Sequence, residues 1–289
     1  SMSKAKVWIA GAKGQLGSAV REMLEQGGAH ELLTTDRDVD ITDLERVCAY
    51  TDGNAPDVII NCAGLTDLAV CERHVEDAYR VNALGARNLA NAAKRTDAKL
   101  IHISTDDVFD GTAKKPLTGF DHVNPRAVYG KSKLAGEDFV RELASRHVIV
   151  RSSWIYGDTK NNFVSYILEG LLTEDTIFVP VDQVSTPTSA RDLARFLMKL
   201  IDSSEYGIYH ASCEGMCSRY EFAKQNVRLS GKRVNIEPQT AGDNPPMVNR
   251  PRYTLLDNFM MRVSGIYQMP DWRESLEQFM EQKKAAGDY

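Results

Sequence analysis

The fold is decided by the stretch K-V-W-I-A-G-A-K-G-Q-L-G at residues 6–17, near the start of the chain. The apolar run at residues 6–10 predicts a buried β-strand, and the periodicity of residues 15–26 predicts a helix. Three glycines, at 11, 14 and 17, therefore fall in the turn between them or at the start of the helix. Such glycines permit a tight turn, let the backbone approach a diphosphate and let helix and strand pack closely, while the start of the helix offers N–H groups to phosphates. The stretch therefore predicts a dinucleotide-binding unit. Its expected cofactor contacts are Gly11, Gly14, Gln15, Leu16 and Gly17.

Strand-like and helix-like patterns alternate through the first half of the chain. Short apolar runs predict strands at residues 32–35, 58–62, 99–104 and 148–152. Longer periodic segments predict helices at residues 76–95 and 129–145. Because strands that alternate with helices form parallel sheets covered on both faces, the predicted fold is α/β, a Rossmann-type doubly wound parallel sheet.

The regular alternation of predicted strands and helices ends after Gly157. Helices are predicted at residues 163–172, 191–203, 219–230 and 272–284, and one strand at residues 207–211. We therefore predict an NAD(P)-binding Rossmann domain at residues 1–157 and, at residues 158–289, mainly a smaller C-terminal α/β lobe that binds substrate. Segments near residues 188–212 are expected to return to the first domain.

Composition and charge exclude several classes of protein. A net charge of −5 argues against a nucleic-acid partner, because phosphates attract clustered Lys and Arg. No apolar run is long enough to cross a bilayer, so no membrane partner is expected. The five cysteines form no C-x-x-C pair and lack histidines at ligand spacing, so we expect reduced thiols, a cytoplasmic location and no metal.

The end of the second predicted strand bears on the choice between NAD and NADP. Asp36 occupies a position where an acidic side chain accepts hydrogen bonds from the adenosine ribose, which favours NAD. Arg37 follows it and could instead neutralise a 2′-phosphate, which favours NADP. Both cofactors therefore stay open, and a solvated acidic loop at residues 36–43 is the plain alternative.

A phenol and an ammonium group lie one helical turn apart, on the same face of the helix predicted at residues 129–145. Hydride transfer to a carbonyl leaves an alkoxide that needs a proton, and Lys133 is expected to lower the pKa of Tyr129 so that the phenol acts as general acid or base. Thr105 ends a strand at the sheet edge where ligands bind, and it can donate a hydrogen bond to the carbonyl and orient Tyr129. These three residues predict the catalytic centre of an NAD(P)-dependent oxidoreductase.

The N-C-A-G segment at residues 61–64 ends the preceding strand, so its backbone can approach the cofactor. The further expected cofactor contacts are Cys62, Ala63, Gly64, Tyr129 and Lys133.

Six stretches resemble the dTDP-4-dehydrorhamnose reductases of the extended short-chain dehydrogenase/reductase superfamily. They are G-A-K-G-Q-L-G at 11–17, S-T-D-D-V-F-D-G at 104–111, Y-G-K-S-K-L-A-G-E at 129–137, R-S-S-W-I-Y-G at 151–157, D-Q-V-S-T-P-T at 182–188 and R-P-R at 250–252. Together they span most of the chain.

The resemblance implies NAD(P)H-dependent reduction of the C4 keto group of a nucleotide-linked 4-keto-6-deoxyhexose, with dTDP-4-dehydrorhamnose giving dTDP-rhamnose as the first expectation. It implies a catalytic triad of Thr105, Tyr129 and Lys133, and it places Asp40 and Ile41 against the adenine. It also allows a homodimer. The substrate contacts that it implies are Thr105, Asp106, Trp154, Thr186 and Arg250, the last of them near the phosphates.

Two departures from the family pattern flank the expected sugar site. Asp107 and Leu65 each stand where the family has tyrosine. These departures indicate a different sugar substrate more than a different hydride-transfer reaction. Two alternatives therefore stay open. One is a non-catalytic, NADP-binding regulatory subunit resembling the β subunit of methionine adenosyltransferase, and the other is a reductase or epimerase of another nucleotide sugar.

Overall fold

The computed structural model describes residues 4–239 and 251–287. The first half contains β1 (Lys6–Ala10), α1 (Gln15–Gly27), β2 (Glu31–Thr35), α2 (Leu44–Asn54), β3 (Val58–Asn61), α3 (Leu68–Arg73), α4 (Val75–Tyr79), a π-helical turn (Arg80–Leu84), α5 (Gly85–Thr96), β4 (Lys99–Thr105), a 3₁₀ turn (Asp106–Val108), α6 (Val128–Leu143) and β5 (His147–Ser152). The remainder contains β6 (Ile155–Tyr156), α7 (Phe163–Thr173), β7 (Thr176–Pro180), β8 (Val184–Ser185), β9 (Thr188–Ser189), α8 (Ala190–Ile201), β10 (Gly207–His210), β11 (Cys217–Ser218), α9 (Arg219–Ser230), β12 (Asn235–Gln239), α10 (Phe259–Ser264) and α11 (Trp272–Ala285).

Six parallel strands of the described residues form the central sheet, in the order β2-β1-β3-β4-β5-β10. From β1 the chain goes to β2 on one side and then returns past β1 to β3 on the other. This reversal is the topological switch point of an open α/β sheet, and ligands bind in the crevice outside the carboxyl ends of its strands. The sheet therefore places the glycine turn after β1 beside the N-C-A-G loop after β3.

Helices cover both faces of the sheet, and strand β1 shows how alternate side chains serve the two layers. Val7 and Ile9 belong to a core formed with α1, α8 and α11, whereas Trp8 belongs to a second core formed with α2, α5 and α6. Apolar burial on both faces is the main stabilisation of such a fold. The predicted doubly wound α/β fold is confirmed.

Part of the second half of the chain returns to this sheet. Strand β10 pairs with β5, and α8 packs on α1. Helix α11 also contributes Trp272 and Leu276 to the core shared with the sheet, although it lies at the far end of the chain.

A smaller apolar cluster lies between α7, α9 and the parallel pair β7–β12. Its buried residues are Ile167, Ile177, Val179, Ala223 and Ile236. This is the α/β lobe expected after Gly157, and the domain boundary at residue 157 stays a prediction. Within the described ranges, no helix is both long and apolar enough to cross a membrane.

Candidate active site

The glycine turn packs directly against the loop that follows β3. Gly11 has a φ of +77°, in the left-handed region, and a Cβ added to it would lie 2.6 Å from the Ala63 nitrogen. A Cβ added to Gly17 would overlap the carbonyl oxygen of Gly11. Both positions therefore need glycine, because one backbone passes another with no room for a side chain.

Helix α1 begins beside this turn at Gly14, which is its N-cap residue. Among the described residues no side chain caps this helix end, and its first turn holds no acidic residue. The Gln15 amide nitrogen turns aside to donate to the carbonyls of Thr159 and Lys160 (2.9 and 3.0 Å), and Leu16 is buried. The positive end of the helix dipole and its first N–H groups fit the diphosphate of an NAD(P) cofactor.

A cavity of about 650 Å³ opens beside the ends of β1 and β2. Its lining residues are Ala12, Lys13, Arg21, Thr34, Thr35, Asp36, Arg37 and Asp38. The Asp36 carboxylate accepts a hydrogen bond from the Lys13 backbone nitrogen (3.3 Å), and the Arg37 side chain is exposed. The cavity thus holds both an acceptor for ribose hydroxyls and cations for a ribose phosphate.

The next two predicted cofactor residues have different environments. Asp40 is exposed and accepts hydrogen bonds from the backbone and the hydroxyl of Thr42, and these bonds lower the pKa of its carboxyl. Ile41 is buried, and a Cβ added to Gly85 would lie 2.6 Å from its Cδ1. Contacts of either residue with adenine stay predictions.

The loop at Cys62, Ala63 and Gly64 is held in place by a residue that the sequence analysis did not identify. Asn82 accepts a hydrogen bond from the Leu65 nitrogen (2.8 Å) and donates to the Leu65 oxygen and the Ser132 hydroxyl (both 3.0 Å). It lies in the π-helical turn, a type of irregularity that is frequent at functional sites. Asn82 therefore joins the cofactor-side loop to the catalytic helix α6.

The three predicted catalytic residues lie where β4 ends and α6 begins. The Thr105 hydroxyl lies beside the Tyr129 phenol and accepts a hydrogen bond from the Asp107 nitrogen (3.1 Å). Lys133 Nζ donates to the carbonyl of Ile103 (2.8 Å), two residues before Thr105, and Gly64 lies beside it, with its Cβ position 3.9 Å from Nζ. The structure brings all three side chains to the carboxyl edge of the sheet, next to the loop after β3.

The protonation of this centre differs in one respect from the prediction. Burial and the Asp107 carboxylate raise the pKa of Tyr129 above its ordinary value near 10, although Lys133 was expected to lower it. The reason is that burial has the larger effect and that Lys133 Nζ is bonded to strand β4. Tyr129 is therefore a protonated phenol at neutral pH, which is the form that can give a proton to a carbonyl oxygen.

Asp106 is buried between two threonines. Thr254 Oγ1 donates to Asp106 Oδ2 (2.5 Å), and Thr105 Oγ1 donates to Oδ1 (3.3 Å). Burial and the neighbouring Asp107 raise the pKa of Asp106 to about 7, against the opposing effects of Thr254 and Arg219. Near neutral pH this carboxyl can therefore either accept or donate a hydrogen bond.

Trp154 and Arg219 form a stacked pair near these acidic residues. Trp154 has a φ of +45°, a left-handed conformation that is unusual for a residue with a side chain. The guanidinium carbon of Arg219 lies 4.2 Å from the centroid of the indole ring, and Arg219 Nε donates to Gln183 Oε1 (2.9 Å). Arg219 was not among the predicted site residues, because its position at the start of an amphipathic helix is typical of an exposed cation.

Two predicted substrate contacts remain without a confirmed role. Thr186 is fully buried, and its hydroxyl donates to the Gly215 carbonyl (2.5 Å), while its own carbonyl accepts from the Ser153 hydroxyl (2.6 Å). These bonds shape the turn, so a contact with substrate stays a prediction. Arg250 lies outside the described residues.

Comparison with known proteins agrees with this geometry. Residues 5–285 match the family model described as the RmlD substrate binding domain. The spore coat polysaccharide biosynthesis protein SpsK of Bacillus subtilis is 35% identical over 98% of this chain and 99% of its own length.

Two solved structures are similar over nearly the whole chain. A dTDP-4-dehydrorhamnose reductase of Clostridium acetobutylicum is 43% identical, with a TM-score of 0.94, over 96% of this chain and 99% of that one. The dTDP-4-dehydrorhamnose reductase of Bacillus anthracis, solved in complex with NADP, is 38% identical, with the same TM-score of 0.94 and the same coverage of 96% and 99%. The chain therefore belongs to the dTDP-4-dehydrorhamnose reductase (RmlD) family of the extended short-chain dehydrogenases/reductases.

Proposed function

We propose that this protein is an NAD(P)H-dependent oxidoreductase that reduces the C4 keto group of dTDP-4-dehydrorhamnose to give dTDP-rhamnose. The observation that carries the proposal is the meeting of Thr105, Tyr129 and Lys133 at the sheet edge, beside a glycine turn that fits a dinucleotide. Family membership supplies the substrate class.

Each catalytic side chain has a role that its environment supports. With the diphosphate of the cofactor held at the glycine turn, the reduced nicotinamide would supply the hydride. Thr105 would donate a hydrogen bond to the carbonyl oxygen, and Tyr129, a protonated phenol at neutral pH, would give that oxygen its proton. Burial lowers the pKa of Lys133 to about 8, so at neutral pH it is still mainly a cation and can offset the negative charge left on the phenolate.

The proposal is tested by incubating the purified protein with NADPH and a panel of nucleotide-linked 4-keto-6-deoxyhexoses while NADPH absorbance is followed. We expect oxidation with dTDP-4-dehydrorhamnose. Faster oxidation with another sugar of the panel would support the proposed hydride transfer but change its substrate. It would indicate that Asp107 and Leu65 alter which sugar the enzyme prefers. No oxidation with any member of the panel would contradict the proposal.

The adenosine end of the site leads to a prediction about cofactor choice. Replacing Arg37 by Ala should weaken NADPH binding about tenfold and leave NADH binding nearly unchanged, because a charge-assisted hydrogen bond to the 2′-phosphate is lost. Asp36→Ala should have the opposite effect and weaken NADH binding more than NADPH binding, since it removes the acceptor for the ribose hydroxyls. Fluorescence titration gives both dissociation constants. The matched control is Arg95→Ala, an exposed arginine paired with Asp52, and equal effects on the two cofactors would contradict the assignment.

A second prediction concerns Arg219. Arg219→Met should raise KM for the nucleotide sugar about tenfold, because it removes the buried cation from beside Trp154 and Asp106, and the dissociation constant of NADPH should not change. Steady-state kinetics at saturating NADPH measure the effect. Arg228→Met serves as the control on the same helix, since Arg228 is exposed and its side chain donates to Gln225 Oε1 (3.1 Å), away from Trp154. A parallel loss of NADPH affinity would contradict a substrate-side role.

The regulatory-subunit hypothesis is not favoured. The relatives compared above are reductases or biosynthetic proteins, and the catalytic side chains of this chain are brought together. Turnover that depends on Tyr129 would separate the two functions directly.

We also propose that the protein acts in the cytoplasm, which is supported by its five cysteines, all within the described residues and all free thiols. A homodimer is proposed on the family resemblance, and light scattering of the purified protein tests it.

A further inference from the structure

A fully buried ion pair lies behind the proposed catalytic centre. Glu137 is on α6, one helical turn after Lys133, so the two side chains share a face of the helix. Glu137 has no exposed surface, and Lys133 and Arg151 are 6% and 1% exposed. The two residues of the ion pair come from separate family-like motifs, at residues 129–137 and 151–157.

The Glu137 carboxylate is held by both of its oxygens. Arg151 Nη2 donates to Oε1 (2.7 Å), and Arg151 Nε donates to Oε2 (3.0 Å), which is a bidentate arrangement. The Ser104 hydroxyl also donates to Oε2 (2.5 Å). Because Ser104 directly precedes Thr105, the carboxylate fixes the end of β4 against α6.

The other side of Arg151 is held by a neutral histidine. Arg151 Nη1 donates to His210 Nε2 (3.3 Å), so the His210 proton lies on Nδ1, which donates to the Leu117 carbonyl (2.7 Å). Burial and the neighbouring Arg151 lower the pKa of His210 to about 3, which agrees with the neutral form. The cluster therefore contains two cations, Lys133 and Arg151, and one carboxylate.

The charged and titratable groups that act on Lys133 come from three elements. Cys62 follows β3, His102 lies on β4, and Glu137 lies on α6. Burial raises the pKa of the Cys62 thiol to about 12 and lowers that of His102 well below 6.5, so both are neutral. Glu137 is thus the negative charge that supports the Lys133 ammonium from within the protein.

We infer that Glu137 is a positioning residue of the catalytic centre, which keeps Lys133 in its charged form and holds Thr105 in register while Arg151 and Ser104 fix its carboxylate. A buried ion pair is weak evidence for a purely stabilising role, because apolar replacements of such pairs often leave stability unchanged or improve it. The location of this pair, between the catalytic lysine and the strand end that carries Thr105, gives it a functional role instead. The inference rests on the proposed function of Lys133.

The test is the pH profile of kcat/KM for NADPH-dependent reduction by Glu137→Gln, a nearly isosteric change that removes the charge. Burial lowers the pKa of Lys133 to about 8, and Glu137 opposes this shift, so the wild-type rate should fall as pH rises through about 8. In the variant the fall should begin about one pH unit lower, so that the rate at pH 8 drops about fivefold relative to the wild type and the rate at pH 6 changes by less than about threefold. Glu137→Asp, which keeps a carboxylate, should restore much of the wild-type profile.

Asp192→Asn is the matched control, because Asp192 on α8 is also buried and its carboxylate accepts hydrogen bonds from the Ser189 and Ser275 hydroxyls. It should lose comparable stability and keep the wild-type pH profile. Glu137→Gln could fail to fold because it leaves Arg151 unpaired, and the double variant Glu137→Gln/Arg151→Met removes both charges. The pH profile of kcat/KM of the double variant should lie between those of Glu137→Gln and the wild type. An equal loss of rate at every pH, or an unchanged profile in a folded variant, would overturn the inference.

A second readout separates this inference from the proposed function. The ¹³Cε signal of Lys133, assigned by its loss in Lys133→Arg, can be titrated by NMR without any turnover. A lower Lys133 pKa in Glu137→Gln than in the wild type supports the inference even if none of the sugars is reduced. An unchanged Lys133 pKa overturns it even if the wild type is an active reductase.

Discussion

Tyr129→Phe is expected to lower kcat by about a thousandfold, within the range of 10²–10⁴ that a general acid contributes. The substitution removes only the hydroxyl that would give its proton to the substrate oxygen, and the Thr105 hydroxyl cannot replace it because it lacks a comparable acidity. NADPH should bind nearly as tightly as to the wild type, since the glycine turn is untouched. Steady-state kinetics and a fluorescence titration of NADPH measure the two effects.

Tyr209→Phe is the control for loss of a tyrosine hydroxyl elsewhere. Tyr209 lies on β10, and its hydroxyl donates to Glu205 (2.5 Å). The control should lower the free energy of unfolding by about 1 kcal/mol and leave kcat unchanged. Retention of more than about a tenth of the wild-type kcat by Tyr129→Phe would contradict the assignment of Tyr129 as the proton donor.

Gly17→Ala is expected to abolish measurable NADPH binding and to lower the free energy of unfolding by about 3 kcal/mol, the upper part of the range for overpacking. The added methyl group would overlap the Gly11 carbonyl, so the turn after β1 must move away from helix α1. Because the proposed diphosphate site is made of that turn and the start of the helix, cofactor binding and stability should be lost together. Urea unfolding and NADPH titration provide the measurements.

Gly27→Ala is the control in the same helix. No atom lies within 4 Å of a Cβ added to Gly27, among the described residues, so the substitution should stabilise the protein by up to about 1 kcal/mol through helix propensity and leave NADPH binding unchanged. If Gly17→Ala behaved like Gly27→Ala, the close approach of helix and strand inferred here would be wrong.

The strands and helices of the central layers could be predicted from the sequence because a buried strand leaves a continuous apolar run and a half-buried helix leaves a periodic one. Strands β1 and β3 are buried along nearly their whole length, and the predicted bounds of the helix at residues 219–230 agree with α9. Helix α2 was not predicted, because only Val47, Cys48 and Thr51 of its residues are buried and its amphipathic pattern is weak. Strand β12 was missed because its N-I-E-P-Q sequence contains a proline and a charge, which strand patterns disfavour.

Residues of the site could be predicted where a motif fixes their place on one element. Tyr129 and Lys133 share a helix face, and Thr105 ends a strand at the ligand-binding edge of the sheet, so the order of these motifs predicted that they meet. Arg219 and Asn82 could not be found in this way, because each acts across a long sequence separation: Arg219 against Trp154, and Asn82 against Ser132.

The protonation states of the site also required the structure. Spacing showed that Lys133 is near Tyr129, but it did not show how strongly burial opposes the charge of each group. The direction of the Tyr129 pKa shift follows from its surroundings, chiefly burial and Asp107, and not from the lysine one turn away. The Asp107 carboxylate thus acts on the pKa of the proposed acid itself.

The most direct test of the account is to follow deuterium from NADPH labelled at the transferable position of the nicotinamide during turnover of dTDP-4-dehydrorhamnose. The account predicts that one deuterium appears at C4 of the product sugar, with one equivalent of NADP formed for each sugar reduced, and that Tyr129→Phe suppresses both. Sugar without deuterium at C4, or conversion without net NADPH oxidation, as in an epimerase, would contradict it.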